Sequence, residues 1–456
     1  MSVEEVIAHG EARREEHLEM LFDLLRQPSI SAQNTGIVEC AELLHGMLEG
    51  SGIEASIIPT DGHPVVYGEV SSGDEEAFTI LFYGHYDVQP PEPLELWDSE
   101  PFEPTVRDGR IYARGAGDNK GQLIAHVLAV RAFLEVAGAV PVNVKFVFEG
   151  EEESGSPQLP AFVEGHRELL EADLVYTSDG GYDDTGRPVV CFGVRGMLAV
   201  ELEANGAKSD LHSGNRGNVV PNPAWILVDL LHTMRDADSG VKIEGFYDDV
   251  REPTPAEGQL AATMPFDRES FLKVMGLRKS PVKDSKDYAR RLMFEPTLNI
   301  AGFTSGYGGE GIKTIIPSKA TLKMDMRLVA DQEPKDIYEK FVRHVKEHAP
   351  EVTVKHLGEM RPSRSSPETV SSRLVVETVA KARGKAPVVK PSLGGSLPDS
   401  VWTRTLGVPS VLVPYANPDE NNHGPNENLE LEAFFAGIRT SIRILEAFRG
   451  FDRARE

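Results

Sequence analysis

Apolar residues recur at helical spacing over residues 4–26 (Val6, Ile7, Leu18, Leu21, Phe22, Leu25) and stop at Gln27-Pro28, which predicts one amphipathic helix. Residues 36–50 repeat the pattern. Short continuous apolar runs follow at 64–70, 78–83, 142–148 and 174–176, the mark of strands buried on both faces. Helical patterns at 120–137 and 157–171 fit between them, and the same texture returns after about residue 367 (helix 369–382, strand 410–413, helix 429–448). Strands alternating with helices predict an α/β fold with a mostly parallel sheet covered on both faces.

The middle of the chain has another rhythm. It reads strand (197–204), helix (223–235), strand (297–302), strand (319–328), helix (334–348), strand (351–357), the βαββαβ order of a ferredoxin-like layer. A charged, Pro-rich stretch at 240–295 interrupts it. The expected architecture is a catalytic domain split between residues 1–195 and 367–456, with an inserted α+β domain at 196–366.

Composition narrows the partners. The 456 residues hold 47 Lys and Arg against 72 Asp and Glu, a formal charge of −25, which argues against nucleic acid and anionic membrane surfaces. No apolar run approaches the roughly 20 residues needed to span a bilayer. Two cysteines, Cys40 and Cys191, cannot make a disulfide framework or a thiolate metal site, so a reducing cytoplasm is expected. The spacing Gly306-x-Gly308-x-x-Gly311 formally matches a dinucleotide fingerprint, but a strand-like segment follows it where a helix is required.

Ligands in open α/β sheets gather at the carboxyl ends of strands. Five apolar runs lead there into His, Asp or Glu: Gly84-His85-Tyr86-Asp87, Gly117-Asp118-Asn119, Glu151-Glu152-Glu153, Ser178-Asp179-Gly180 and Asn422-His423-Gly424. Two imidazoles with several carboxylates and no thiolate suit Zn, Mn or Co. Asp118, Glu153 and Asp179 carry three negative charges, so two divalent cations leave the set at +1 and a bridging hydroxide brings it to zero. Of the neighbours Glu152 and Glu153, an extended backbone would point one carboxylate at metal and the other at bound water. Asp87, two residues after His85, is placed to accept the other ring N–H of that imidazole.

The segments GHYDV, GAGDNKG, EGEEESGS, SDGG, DLHSG and HGPNE, in this order, resemble those of the M20 family of metallopeptidases, which includes carnosinase-like dipeptidases, glutamate carboxypeptidase and amino-acid deacylases. The resemblance implies two metals, with His85 and Asp179 on one, Glu153 and His423 on the other and Asp118 bridging. It also implies Glu152 as general base and Asp87 as the orienting carboxylate. Many members have Asp-Asp where this chain has Asp118-Asn119, a peptide bond that the family holds cis. Similarity further marks His212 as a residue that completes the neighbouring subunit's active site, implying a homodimer. Thr314, Arg327, Gly395 and Ser396 are marked as substrate-binding, with Arg327 suited to a bidentate pair with a carboxylate.

Three activities are thereby in view. A dinuclear hydrolase would cleave the amide bond of dipeptides or small peptides, with hydroxide attacking the carbonyl and Glu152 moving protons. An N-acyl amino-acid deacylase of the succinyl-diaminopimelate or acetylornithine type would use the same metal centre. A non-catalytic descendant would bind metal or a partner only. The presence of the base and all five ligands favours catalysis, and Thr314 with the SDLHSG, EEESGS and GGS segments favours the dipeptidase.

Overall fold

The computed structural model describes residues 2–236 and 240–455. The expected first helix is two, Val3–Ala12 and Arg14–Arg26, separated at Arg13 (φ −111°, ψ 22°). The break follows from packing: the first helix lies against Lys120–Ala137 and Leu431–Ala447, the second against Lys120–Ala137 and Ile37–Gly50. Helical spacing alone does not register that change of direction.

The main sheet has eight strands. Its centre is parallel: Asn143–Glu149, Thr79–His85, Leu174–Thr177 and Ser410–Leu412 lie side by side, and antiparallel neighbours join at the flanks. Alternate residues of these strands face opposite cores. Ile80, Phe82, Val144 and Phe146 pack under the long helices, whereas Leu81, Tyr83, Val147 and Val175 meet Leu159, Phe162 and Trp402. The sheet is thus covered on both faces. One expectation is corrected here: the segment before Asp118 does not leave the main sheet. It follows Arg110–Tyr112, which pairs with Thr105–Arg107 and Asn428–Glu430 in a small separate sheet.

Residues of the middle stretch form a four-stranded antiparallel sheet in the order Asn299–Ser305, Lys319–Leu328, Gly196–Asn205, Thr353–Met360, with helices Pro223–Met234 and Pro334–His348 on one face. Leu198, Val200, Leu322 and Met324 point into that helix-covered core, leaving Arg327 on the opposite face. The stretch 240–295 carries three short helices, Pro255–Ala262, Arg268–Val274 and Ser285–Met293. Thr254, Asp267 and Asp284 cap them. Ala261, Ala289 and Met293 of these helices, with Met264 between them, pack on Val189, Cys191, Val388 and Leu412, so this stretch covers one edge of the main sheet. Gly306–Gly311 lies in an exposed connection between strands, without a following helix. Among the described residues no helix is long and apolar enough to cross a membrane.

Candidate metal and substrate site

Parallel pairing of His85 with Glu149 sets the strand end carrying His85 beside the turn carrying Glu152 and Glu153. That turn is a 3-10 helix, Glu152–Ser154, where the sequence reading expected extended backbone. Three consecutive acids have no periodicity that could reveal it. Two donor groups then form, His85 with Asp118 and Asp179, and Asp118 with Glu153 and His423. Asp118 belongs to both. Its Oδ1 lies 3.0 Å from Nε2 of His85, and its Oδ2 lies 3.2 Å from Nε2 of His423. Asp179 is 3.6 Å from the first imidazole and Glu153 is 3.2 Å from the second.

The two groups differ in access. His85, Asp118 and Asp179 are 1%, 5% and 9% exposed, whereas the side chain of His423 is 54% exposed, so the site opens on its side. Burial raises the Glu152 carboxyl well above the usual range, and the negative charges of Asp179, Glu153 and Asp118 add to this. Hydrogen bonds to Asp118 and Glu153 raise the His423 imidazole to about 10. Acids crowded at this burial gather the charge and the N/O donors that a divalent cation needs, and the cluster fits metal.

The supports of these residues were only partly visible in sequence. The Asp87 carboxylate accepts the main-chain N–H groups of Glu152 and Glu153, both at 3.1 Å, and lies 3.4 Å from Nδ1 of His85. The carboxylate therefore braces the acidic turn, whereas Nδ1 of His85 meets the Asp87 main-chain carbonyl at 3.1 Å where the carboxylate was expected to accept it. Glu427, in the HGPNE segment, accepts from the N–H groups of Gly115, Gly117 and Asp118 and from Arg114 Nη1 (2.6 Å). Arg114 Nη2 reaches the His423 carbonyl at 3.4 Å, so one buried ion pair connects both segments. Gln122 Nε2 bridges the carbonyls of Gly117 and Gly180, and Gln89 Nε2 donates to Glu153 at 3.0 Å. The Asp118-Asn119 peptide is cis. Asn119 Nδ2 donates to the Ser178 carbonyl at 2.7 Å, a bond that an ionised Asp could not donate.

Arg327 Nη1 donates to Ser396 Oγ at 2.7 Å, bringing those two predicted substrate residues together, with exposed Gly395 next to Ser396. His212 and Thr314 form a separate pair of neighbours: His212 lies opposite Ile315 in a two-residue ladder, and the Thr314 carbonyl accepts from Ser213. The His212 ring is exposed and accepts from Gly214 N–H. Among the described residues neither side chain bonds to the five clustered donor residues.

The sequence matches the peptidase family M20/M25/M40 over residues 81–447. It is 30% identical to the Cys-Gly metallodipeptidase dug1 of Schizosaccharomyces pombe, over 96% of this chain and 97% of that protein. An M20 family metallo-carboxypeptidase from Sulfolobus solfataricus superposes with a TM-score of 0.90 at 36% identity, covering 96% of this chain and 100% of that one. The dipeptidase Dug1p from Saccharomyces cerevisiae superposes with a TM-score of 0.84 at 25% identity, covering 98% and 99%.

Proposed function

The chain belongs to the peptidase family M20/M25/M40 and is a metallopeptidase; we propose that it hydrolyses dipeptides or other small peptides bearing a free C-terminal carboxylate. One observation carries the reading. The two oxygens of Asp118 face two different imidazoles, so a pair of donor groups shares one carboxylate. Two divalent ions per chain, Zn or Mn with Co also suited to these donors, follow from that sharing. His85 and Asp179 would hold one, Glu153 and His423 the other. Ions held there supply Lewis acidity toward the scissile carbonyl and toward the attacking water.

The chain's own groups divide the remaining work. Glu152 takes the proton of the attacking water and delivers it to the leaving amine. Arg327, Ser396 and the Gly395 N–H hold the substrate's carboxylate, which fixes the scissile bond over the cluster. The names of the relatives, a Cys-Gly metallodipeptidase and a metallo-carboxypeptidase, agree with substrates of this class.

His212 and Thr314 fit the family pattern only if a second copy contributes, and we propose a homodimer in which the partner subunit's His212 donates to the carbonyl oxygen as negative charge develops. The edge strand Asn299–Ser305, with exposed Ile300 and Phe303, and exposed Trp225 and Val228 on helix Pro223–Met234, offer the surface for it. Two buried, unbridged thiols agree with a cytoplasmic location.

The reading is tested by loading the protein with Mn or Zn and assaying dipeptides alongside N-acyl amino acids. Dipeptide turnover is expected. Turnover confined to N-acyl amino acids would make the protein a deacylase, and metal binding without turnover would make it a non-catalytic relative.

A further inference from the structure

Arg195 has no part in the site described above. It immediately precedes the strand Gly196–Asn205 and is only 8% exposed. Its Nε donates to the Gly394 carbonyl at 2.8 Å, and its main-chain N–H donates to the carbonyls of Leu393 and Gly395. Arg195 thus grips the Gly394-Gly395-Ser396 turn, and Arg327 reaches Ser396 of the same turn. Leu292, from the helix Ser285–Met293, packs against Gly394 of that turn. A Cβ on Gly394 would stand 2.8 Å from Leu292 Cδ1 and 3.5 Å from Arg195 Nη2, so a side chain there would make the end of Leu292 shift.

Two guanidinium groups therefore converge on one short turn. Among the described residues neither makes an ion pair with a carboxylate, and the terminal nitrogens of Arg195 make no hydrogen bond. Asp325, the acid that acts on Arg195, is itself bonded to Asn299 Nδ2 at 2.8 Å. Burial, followed by the charge of Arg327, pushes Arg195 down to about 10. The buried charge of Arg195 and the half-buried charge of Arg327 repel unless an anion joins them.

We propose that Arg195 is a second carboxylate-binding residue, whose terminal nitrogens share the substrate's C-terminal carboxylate with Arg327 while its Nε stays on Gly394. This rests on the peptidase reading above, and it extends the carboxylate subsite by a second arginine bonded to the same turn. Charge-assisted hydrogen bonds of this kind correspond to roughly 10- to 100-fold in affinity.

The experiment measures binding without turnover, using Mn-loaded Glu152→Gln protein, the dipeptide Ala-Ala and its C-terminal amide as calorimetric ligands. The parent should prefer the acid strongly. Adding Arg195→Met should cut that preference roughly 10- to 100-fold while leaving amide affinity nearly unchanged. Arg195→Lys, which keeps the charge and loses the fork, should fall between; if the Met variant does not fold, a lowered acid-to-amide ratio in the Lys variant decides the matter. Equal weakening of acid and amide, or an unchanged ratio, would reduce Arg195 to a support of the turn and overturn the proposal. A parent that binds acid and amide alike would instead overturn the carboxylate reading on which the proposal stands.

Discussion

The Asp87 carboxylate accepts the main-chain N–H of Glu152 at 3.1 Å, so the strand end carrying His85 fixes the position of the proposed base directly. The second oxygen does the same for Glu153. Asp87 is fully buried, and truncating it leaves two N–H groups without their acceptor and removes the carboxylate 3.4 Å from Nδ1 of His85, which keeps the Asp87 main-chain carbonyl at 3.1 Å.

Asp87→Ala should therefore weaken metal binding roughly 10- to 100-fold, the usual cost of losing an outer partner of a metal ligand. It should also lower stability, because each orphaned N–H costs about 1–3 kcal/mol. Metal titration followed by denaturant unfolding checks both. Unchanged metal affinity would show that Asp87 supports the turn alone.

The composite dimer site makes a different kind of prediction. Inactive His212→Ala mixed with inactive Glu152→Gln should regain activity after subunit exchange, since one site of each mixed dimer keeps both residues. With random exchange of equal amounts, recovery should approach roughly a quarter of wild type. Exchange seen by native mass spectrometry without recovered activity would mean that His212 serves its own subunit or none.

His126 links the fold to pH. Its ring is fully buried, stacks on Phe82, and meets Ser441 Oγ through Nδ1 at 2.9 Å. Burial pushes it down to about 3, against about 6.5 in the unfolded chain. Between those values the unfolded chain binds a proton that the folded chain refuses. Stability should fall as pH drops below about 6.5, by up to about 1.4 kcal/mol per pH unit for this group. Burial and the nearby Arg131 charge push His17 down to about 4, which acts in the same direction. Denaturant unfolding at pH 7 and pH 5 should show His126→Gln losing about 2 kcal/mol less than wild type between the two. Equal losses would remove His126 from the account.

The βαββαβ unit and the acidic and imidazole residues at the strand ends were legible because alternation and apolar runs are local properties. His85, Asp118, Glu153, Asp179 and His423 all end strands or open loops, and they cluster as the motifs implied. What the pattern hid is held by contacts between distant segments. Glu427 stands more than 300 positions from the loop it braces, and nothing near either marks the pairing. Arg13 breaks a helix whose spacing continues across it. The 240–295 stretch looked like an interruption because its short helices bury few residues each, and those pack on strands from elsewhere in the chain. Asn119 shows the reverse case: a departure from the family's motif acquires its own partner in Ser178, visible only once the two loops meet.

The central claim is that Glu152 moves protons beside a centre built on Asp118, and Glu152→Gln tests it most directly when metal content and turnover are measured on the same preparation. The predicted result is metal content at the wild-type level with kcat lower by roughly a hundred- to ten-thousand-fold, against marked metal depletion in Glu153→Ala. Near-normal turnover in Glu152→Gln, or equal metal loss in the two variants, would contradict it.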